Sequence, residues 1–148
     1  MIMRNEKEEN ENNDHRRMFT KILEVAGDYL IIFDPDPEKQ TARCLLETND
    51  AAYPAVLAYD PIKETFAIAI LFHVSNDWTM PRVMILLRLQ NHTAVESSSI
   101  NLDTESSIVR VGSHAKLPAF NVVQAVVTAA IKDTINVLQD DDFRAFVN

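Results

Sequence analysis

The residues of this chain that could do chemistry are four histidines, one cysteine, a serine triplet and two acidic clusters. A zinc site needs ligands at helical i, i+4 spacing or paired cysteines. His15, His73, His92 and His114 have neither. His73 is expected to end a strand, and His92 a helix, where an imidazole meets the helix dipole. Ser97-Ser98-Ser99 lacks a nucleophile elbow and has no base nearby. Asp34, Asp36 and Glu38 set three carboxylates at alternate positions, the spacing of a calcium loop. That loop also needs a glycine and a closing glutamate, and here prolines separate the acids, so the segment reads as a polar turn. Asp140-Asp141-Asp142 reads as a solvated charge run. Arg82 and Arg88, six apart on a helix, point to different faces and make no anion clamp. Gly27 and Gly112 are the only glycines, so no glycine-rich loop can cradle a phosphate. No catalytic residue, metal or cofactor is expected, and the chain does not read as an enzyme.

Cys44 lies in the apolar run Cys44-Leu45-Leu46 and reads as a small buried hydrophobe. As the single cysteine it cannot form an internal disulfide, which fits a reducing compartment. Trp78, the one tryptophan, precedes a helical segment and reads as a core plug. A ligand pocket near Trp78, His73 and Cys44 is the alternative to a protein-binding role.

These residues sit on a chain of 148 residues, the size of one domain. The formal net charge of −8 argues against nucleic acid and against anionic membranes as partners. The apolar runs are far shorter than the roughly 18 residues a membrane span needs. The segment from Met1 to Asp14 has no apolar core of a signal peptide. A cytoplasmic location follows as the default expectation.

The elements that must position any site follow from hydrophobic periodicity. Residues 1–14 are polar and asparagine-rich and are expected to form a disordered arm, with one domain over 15–148. Phe19, Ile22, Leu23 and Ala26 share a helix face, with Asp14 placed to cap its start and Gly27 its end. Tyr29 to Phe33 is a buried strand or a prolongation of that helix. Strands are expected over 42–48, 53–59 and 65–72. In the last, Phe66, Ile68, Ile70 and Phe72 alternate with Ala67, Ala69 and Leu71, so bulk faces one side and small residues the other. Pro81 opens a helix that is apolar nearly all round, which a central position or a second subunit would explain. A hairpin over 98–103 and 107–111 follows, then a long helix over 119–139 with a wide apolar stripe. Phe143, Phe146 and Val147 are able to tuck back from the tail.

This order, with Leu86-Leu87-Arg88-Leu89-Gln90-Asn91, Ser99-Ile100-Asn101-Leu102-Asp103 and Ile108-Val109-Arg110-Val111, resembles a known arrangement. It is similar to the type III secretion chaperone-like fold, which the YbjN-like regulator family shares. The resemblance spans about 15–139. It departs in the extra apolar run at 29–33 and in the missing glycine near Val95-Glu96-Ser97. It implies an α+β fold of order α-β-β-β(-β)-α-β-β-α, an antiparallel sheet packed by helices. It also implies a homodimer that holds an extended segment of a client protein. On that footing Val83, Leu86 and Leu87 are the expected dimer contact, and Leu86→Glu is expected to give a monomer. Ala67, Ala69 and Leu71 are the expected partner surface.

Overall fold

The structure, a computed structural model, describes residues 2–49, 51–93, 98–103 and 105–147. Its elements are α1 (Ile2–Ala26), β1 (Leu30–Asp36), β2 (Thr41–Glu47), β3 (Ala52–Asp60), β4 (Thr65–His73), α2 (Met80–Thr93), β5 (Ser98–Asp103) and β6 (Ile108–Lys116). A 3-10 turn over Phe120–Val122 then leads into α3 (Val123–Leu138), and α4 (Asp141–Val147) follows. The strands form one antiparallel sheet in the order β1-β2-β3-β4-β6-β5. Three hairpins lay down β1 to β4. The excursion through α2 then brings β6 against β4 and leaves β5 at the edge.

The first and third hairpins share a turn chemistry written in the sequence. Asp36-Pro37-Glu38-Lys39-Gln40 and Asp60-Pro61-Ile62-Lys63-Glu64 have the same plan. Asp36 Oδ1 accepts from the amides of Glu38 and Lys39 at 3.1 and 3.2 Å. Asp60 Oδ1 accepts from Ile62 and Lys63 at 3.0 and 3.2 Å. The aspartate mimics a backbone turn while proline presets φ at the next position. Each turn ends in a left-handed residue, Gln40 at φ 54° and Glu64 at φ 51°, and Ser107 at φ 54° ends the β5–β6 connection. The left-handed twist aims each carbonyl at a neighbouring segment. Gln40 O accepts from Tyr59 N at 2.9 Å, Glu64 O from Leu117 N at 2.6 Å, and Ser107 O from Val74 N at 2.9 Å. The strain of a non-glycine residue at φ > 0 is thus offset by a hydrogen bond that ties the turn to the fold.

The helices lie on one face of the sheet. There α3 packs on β6 and β4, α1 packs on α3, and α2 packs on β5 and α4. The inward residues Phe66, Ile68, Ile70, Leu46, Leu57, Val109 and Val111 meet Phe19 and Ile22 of α1 and Val127 and Ile131 of α3 in one core. A buried polar pair crosses this layer. The hydroxyls of Ser113 and Thr134 lie 2.7 Å apart, and Thr134 also donates to Ala130 O at 3.0 Å. Both groups are satisfied, so their burial carries no large penalty. Gly112 admits no side chain, because a Cβ there would stand 2.5 Å from Ile68 O.

Several expectations need correction. Residues 2–14, expected to be a disordered arm, continue α1, which begins ahead of the boundary placed at residue 15. The segment is rich in glutamate, a good helix former, and it extends a helix already nucleated by the packed turns around Phe19 and Ile22. Asp14 therefore lies inside the helix and does not cap it. Gly27 follows the helix without positive φ, and the end closes by 3-10-type bonds, Asp28 N to Val25 O at 3.2 Å and Tyr29 N to Ala26 O at 3.0 Å. The run at 29–33 resolves as a strand. A β-bulge between Ile32 and Asp34 hid its period. The second helix is not central. Leu86 and Leu89 are buried, while Met80, Met84 and Leu87 are exposed. The tail does tuck back, as a helix that buries Phe143 and Phe146.

Candidate functional site

With every helix on one face, the opposite face of the sheet is bare. Alternation along the strands decides what it presents. Outward from β2 point Arg43 and Leu45, from β3 Pro54, Val56 and Ala58, and from β4 Ala67, Ala69 and Leu71. The register sets Arg43, Val56, Ala69 and Gly112 in one row across four strands, with Ala58, Ala67 and His114 in the next. The bulge in β1 puts Phe33 beside this surface with Ile31. Leu71, Phe33, Ile31 and Val56 are 62%, 55%, 52% and 47% exposed. Phe33, Arg43, Pro54, Val56, Ala69 and Leu71 line a shallow concavity of about 220 Å³. The Arg43 guanidinium stands 5.6 Å from the Phe33 ring centre, which fixes the rim of the concavity.

Ala67, Ala69 and Leu71 thus lie together on the bare face. Ile31, Phe33 and Val56 join them there, and sequence reading missed all three. The alternation in 52–60 carried the signal for Val56. Nothing in the sequence marked the bulge that exposes Phe33.

The second exposed apolar feature is the α2 ridge of Met80, Met84 and Leu87, at i, i+4 and i+7 on one helical stripe. Of the three residues expected at a dimer contact, Leu87 is on this ridge, Val83 is half-buried, and Leu86 faces the core at 5% exposure. Leu86→Glu would therefore place a charge in the core and is not a test of association.

The constellation of Trp78, His73 and Cys44 does not assemble. Cys44 points inward from β2 and is buried, its Sγ 3.5 Å from Ala55 O. Burial pushes its thiol pKa up to about 11, so the reactive thiolate is suppressed. His73 points outward at the end of β4 and is exposed. Trp78 is engaged elsewhere, its ring 6.0 Å from Phe146 of α4. A groove of about 210 Å³ near it is lined by Ser75, Asp77, Arg82, Ala145, Phe146 and Val147, and includes neither His73 nor Cys44.

Arg82 and Arg88 also have structural employment. Arg82 donates to Ser75 O and Asp77 O at 3.1 and 2.6 Å and lies over the Trp78 and Phe146 rings at 4.6 and 5.1 Å. Arg88 pairs with Asp142 of α4. The two arginines point to different places but both hold α4, which further buries Phe143 against Phe72 at 5.4 Å. Among the described residues no group of histidines, cysteines and acids is placed to hold a metal. No described helix is long and apolar enough to cross a membrane. The serine triplet falls partly outside the described residues.

No protein-family model and no curated protein sequence matches the chain. Solved structures do. A chain of the HopA1–SchA chaperone–effector complex aligns with a TM-score of 0.50 at 11% identity, covering 82% of this chain and 93% of its own. A chain of the ExsC–ExsE complex aligns with a TM-score of 0.51 at 11% identity, covering 85% and 92%. At that identity the likeness speaks to fold. The fold is α+β, an antiparallel sheet packed by helices, and it is shared with these two structures.

Proposed function

We propose that this chain is a non-enzymatic, cytoplasmic protein-binding domain of chaperone-like or regulatory kind, which acts as a homodimer. It lays an extended segment of its partner over the outer face of the sheet. The observation that carries this reading is that face itself, where Ile31, Phe33, Val56 and Leu71 are each about half exposed or more. A contiguous apolar surface left in water marks an interaction site. The structural neighbours support it, since they come from a chaperone–effector complex and from another protein pair. The α2 ridge of Met80, Met84 and Leu87 supports the dimer, because a helix apolar on its solvent side gains by meeting a second copy. The kinship with YbjN-like regulators belongs to this proposal on the strength of the α2, hairpin and α3 order alone.

The test is a tagged pull-down from the native cell with wild type and Leu71→Asp, together with the solution mass of each. The reading expects a stoichiometric protein on the wild type, its loss from the variant, and a dimeric mass for both. The same proteins on both baits, or none on either, would refute the use of this face.

A further inference from the structure

The α2 ridge proposed as the dimer contact is built mainly of sulfur side chains. Of its three exposed residues, Met80 and Met84 are thioethers, 71% and 59% exposed, and Leu87 completes the stripe. The one other methionine whose side chain the structure describes, Met18, packs against the core. The single thiol gives an oxidant nothing to attack. Cys44 is buried, and burial pushes its pKa up to about 11, so it is neither reachable nor a thiolate. Among the described side chains, the exposed sulfur is thus gathered on one helical stripe, at i and i+4.

The same helix is a place where two copies of an acidic chain can meet. The formal net charge is −8, yet residues 78–95 contain no aspartate or glutamate. The arginines of α2 are engaged within the fold, Arg88 with Asp142 and Arg82 with the carbonyls of Ser75 and Asp77. Pairing through the ridge therefore brings no carboxylates of α2 against each other.

We infer that Met80 and Met84 form an oxidation site, and that their conversion to methionine sulfoxide releases the homodimer. This rests on the reading of the ridge as the dimer contact and adds its regulation. A peroxide delivers one oxygen atom to each thioether. The sulfur lone pair forms the S–O bond, the O–O bond breaks and water leaves, so sulfur is oxidised and peroxide reduced by two electrons. A dithiol reductase of the methionine sulfoxide class reverses the step, returning thioether and water as its two thiols close to a disulfide. On the free helix, water satisfies the new oxygen. Met80, Met84 and Leu87 carry no donor for it, so an oxidised ridge gains by staying solvated. The fold itself survives, because Leu86 and Leu89, not the ridge, face the core.

Pairing and oxidation compete for one surface. The dimer covers both sulfurs, so the oxidant reaches them through the free subunit. Their oxidation must then slow as protein concentration rises above the dimer's dissociation constant. A methionine merely on the surface oxidises at the same rate at any concentration. A twofold contact holds each methionine twice, so full oxidation sets four sulfoxides in one interface. Each polar group left without a partner costs about tenfold in affinity. Even if bridging water recovers half of this, pairing weakens by about a hundredfold.

The experiment follows the full chain by light scattering over a dilution series, before and after hydrogen peroxide at neutral pH. Peptide mass spectrometry locates each added oxygen. The expected result is a dimer before treatment and one oxygen on each of Met80 and Met84, added more slowly at high protein concentration. The dissociation constant should then rise about a hundredfold or more and return after methionine sulfoxide reductase with dithiothreitol. Met80→Leu with Met84→Leu keeps the other three methionines, and its own dissociation constant, whatever its starting value, should not respond to peroxide. Met80→Gln with Met84→Gln fixes a polar group at each position and should be monomeric without peroxide, with an unchanged circular dichroism spectrum. A dimer that persists with both methionines oxidised, oxidation of a dimeric protein at a rate independent of its concentration, or a dimeric double glutamine variant would overturn the inference. A monomeric mass before any peroxide would overturn the reading of the ridge itself, and the inference with it.

Discussion

Ile70 and Leu71 are neighbours on β4 and similar in size, yet the structure sets them on opposite faces at 1% and 62% exposure. Truncating each to alanine therefore reads the two faces separately. Ile70 sits in the close-packed layer between sheet and helices, and Ile70→Ala leaves a cavity. Such changes cost about 2–5 kcal/mol, and a central-strand position with a rigid neighbourhood belongs near the middle, about 3.5 kcal/mol. Leu71→Ala removes atoms that mostly touch water, leaves no cavity, and should cost about 1 kcal/mol at most. For a chain of this size, a kcal/mol corresponds to about 2–4 °C in Tm. Ile70→Ala should thus lower Tm by about 7–14 °C, and Leu71→Ala by less than about 4 °C. Urea unfolding of the free protein, followed by circular dichroism, measures both. An equal cost for the two would refute the argument, because Leu71 would then be covered in the free protein and the outer face would not be available to a partner.

The left-handed turn residues make a second prediction. Gln40→Gly and Glu64→Gly should each stabilise the fold by about 0.5–1 kcal/mol in urea unfolding, since glycine removes the Cβ strain at φ near 54° and 51° while keeping the carbonyl bonds to Tyr59 and Leu117. On α2, Met84→Glu with Leu87→Glu should leave Tm within a few degrees and convert a dimeric mass to a monomeric one in light scattering, whereas Leu86→Glu should unfold the chain. For Cys44, the folded state holds the thiol protonated up to about pH 11, while the unfolded chain ionises at lower pH. Stability should therefore fall as pH rises through this interval and be unaffected below it, and a chromogenic disulfide reagent at pH 8 should react only after denaturant is added.

Much of the fold was legible because its strands obey simple alternation. Phe66, Ile68 and Ile70 pointed inward and Ala67, Ala69 and Leu71 outward, as their sizes implied, and the hairpin over 98–111 fell where the turn residues placed it. Local irregularity obscured the rest. The bulge at Ile32 broke the period of β1, so a run of five apolar residues did not distinguish strand from helix. Tertiary partners, which no local pattern reveals, decided which side of α2 is buried. Leu86 meets the core and Leu87 does not, because α2 packs on β5 and α4 by one side only. The repeated Asp-Pro-x-Lys turn was present in the letters but gains its meaning from the carbonyls it turns toward neighbouring segments. For the site, size alternation indicated the right face of β4. Ile31, Phe33 and Val56 lie on β1 and β3, and only the strand order brings them to the same surface.

The two exposed apolar features share no residue, and this separates their roles physically. The ridge of Met80, Met84 and Leu87 belongs to α2, which lies with α4 at the β5 end of the helical layer. The bare face belongs to β1 through β4, on the other side of the sheet. Pairing through α2 would leave each outer face open, so a dimer would present two copies of it. A partner long enough to reach both would gain from effective concentration, binding the second face at millimolar local strength once the first is held. Removing the ridge by Met84→Glu with Leu87→Glu should then weaken a long partner by orders of magnitude, while a short peptide cut from it binds a monomer as well as a dimer. If the short peptide were weakened as much as the long partner, the ridge would be part of the binding site itself and not the means of duplicating it.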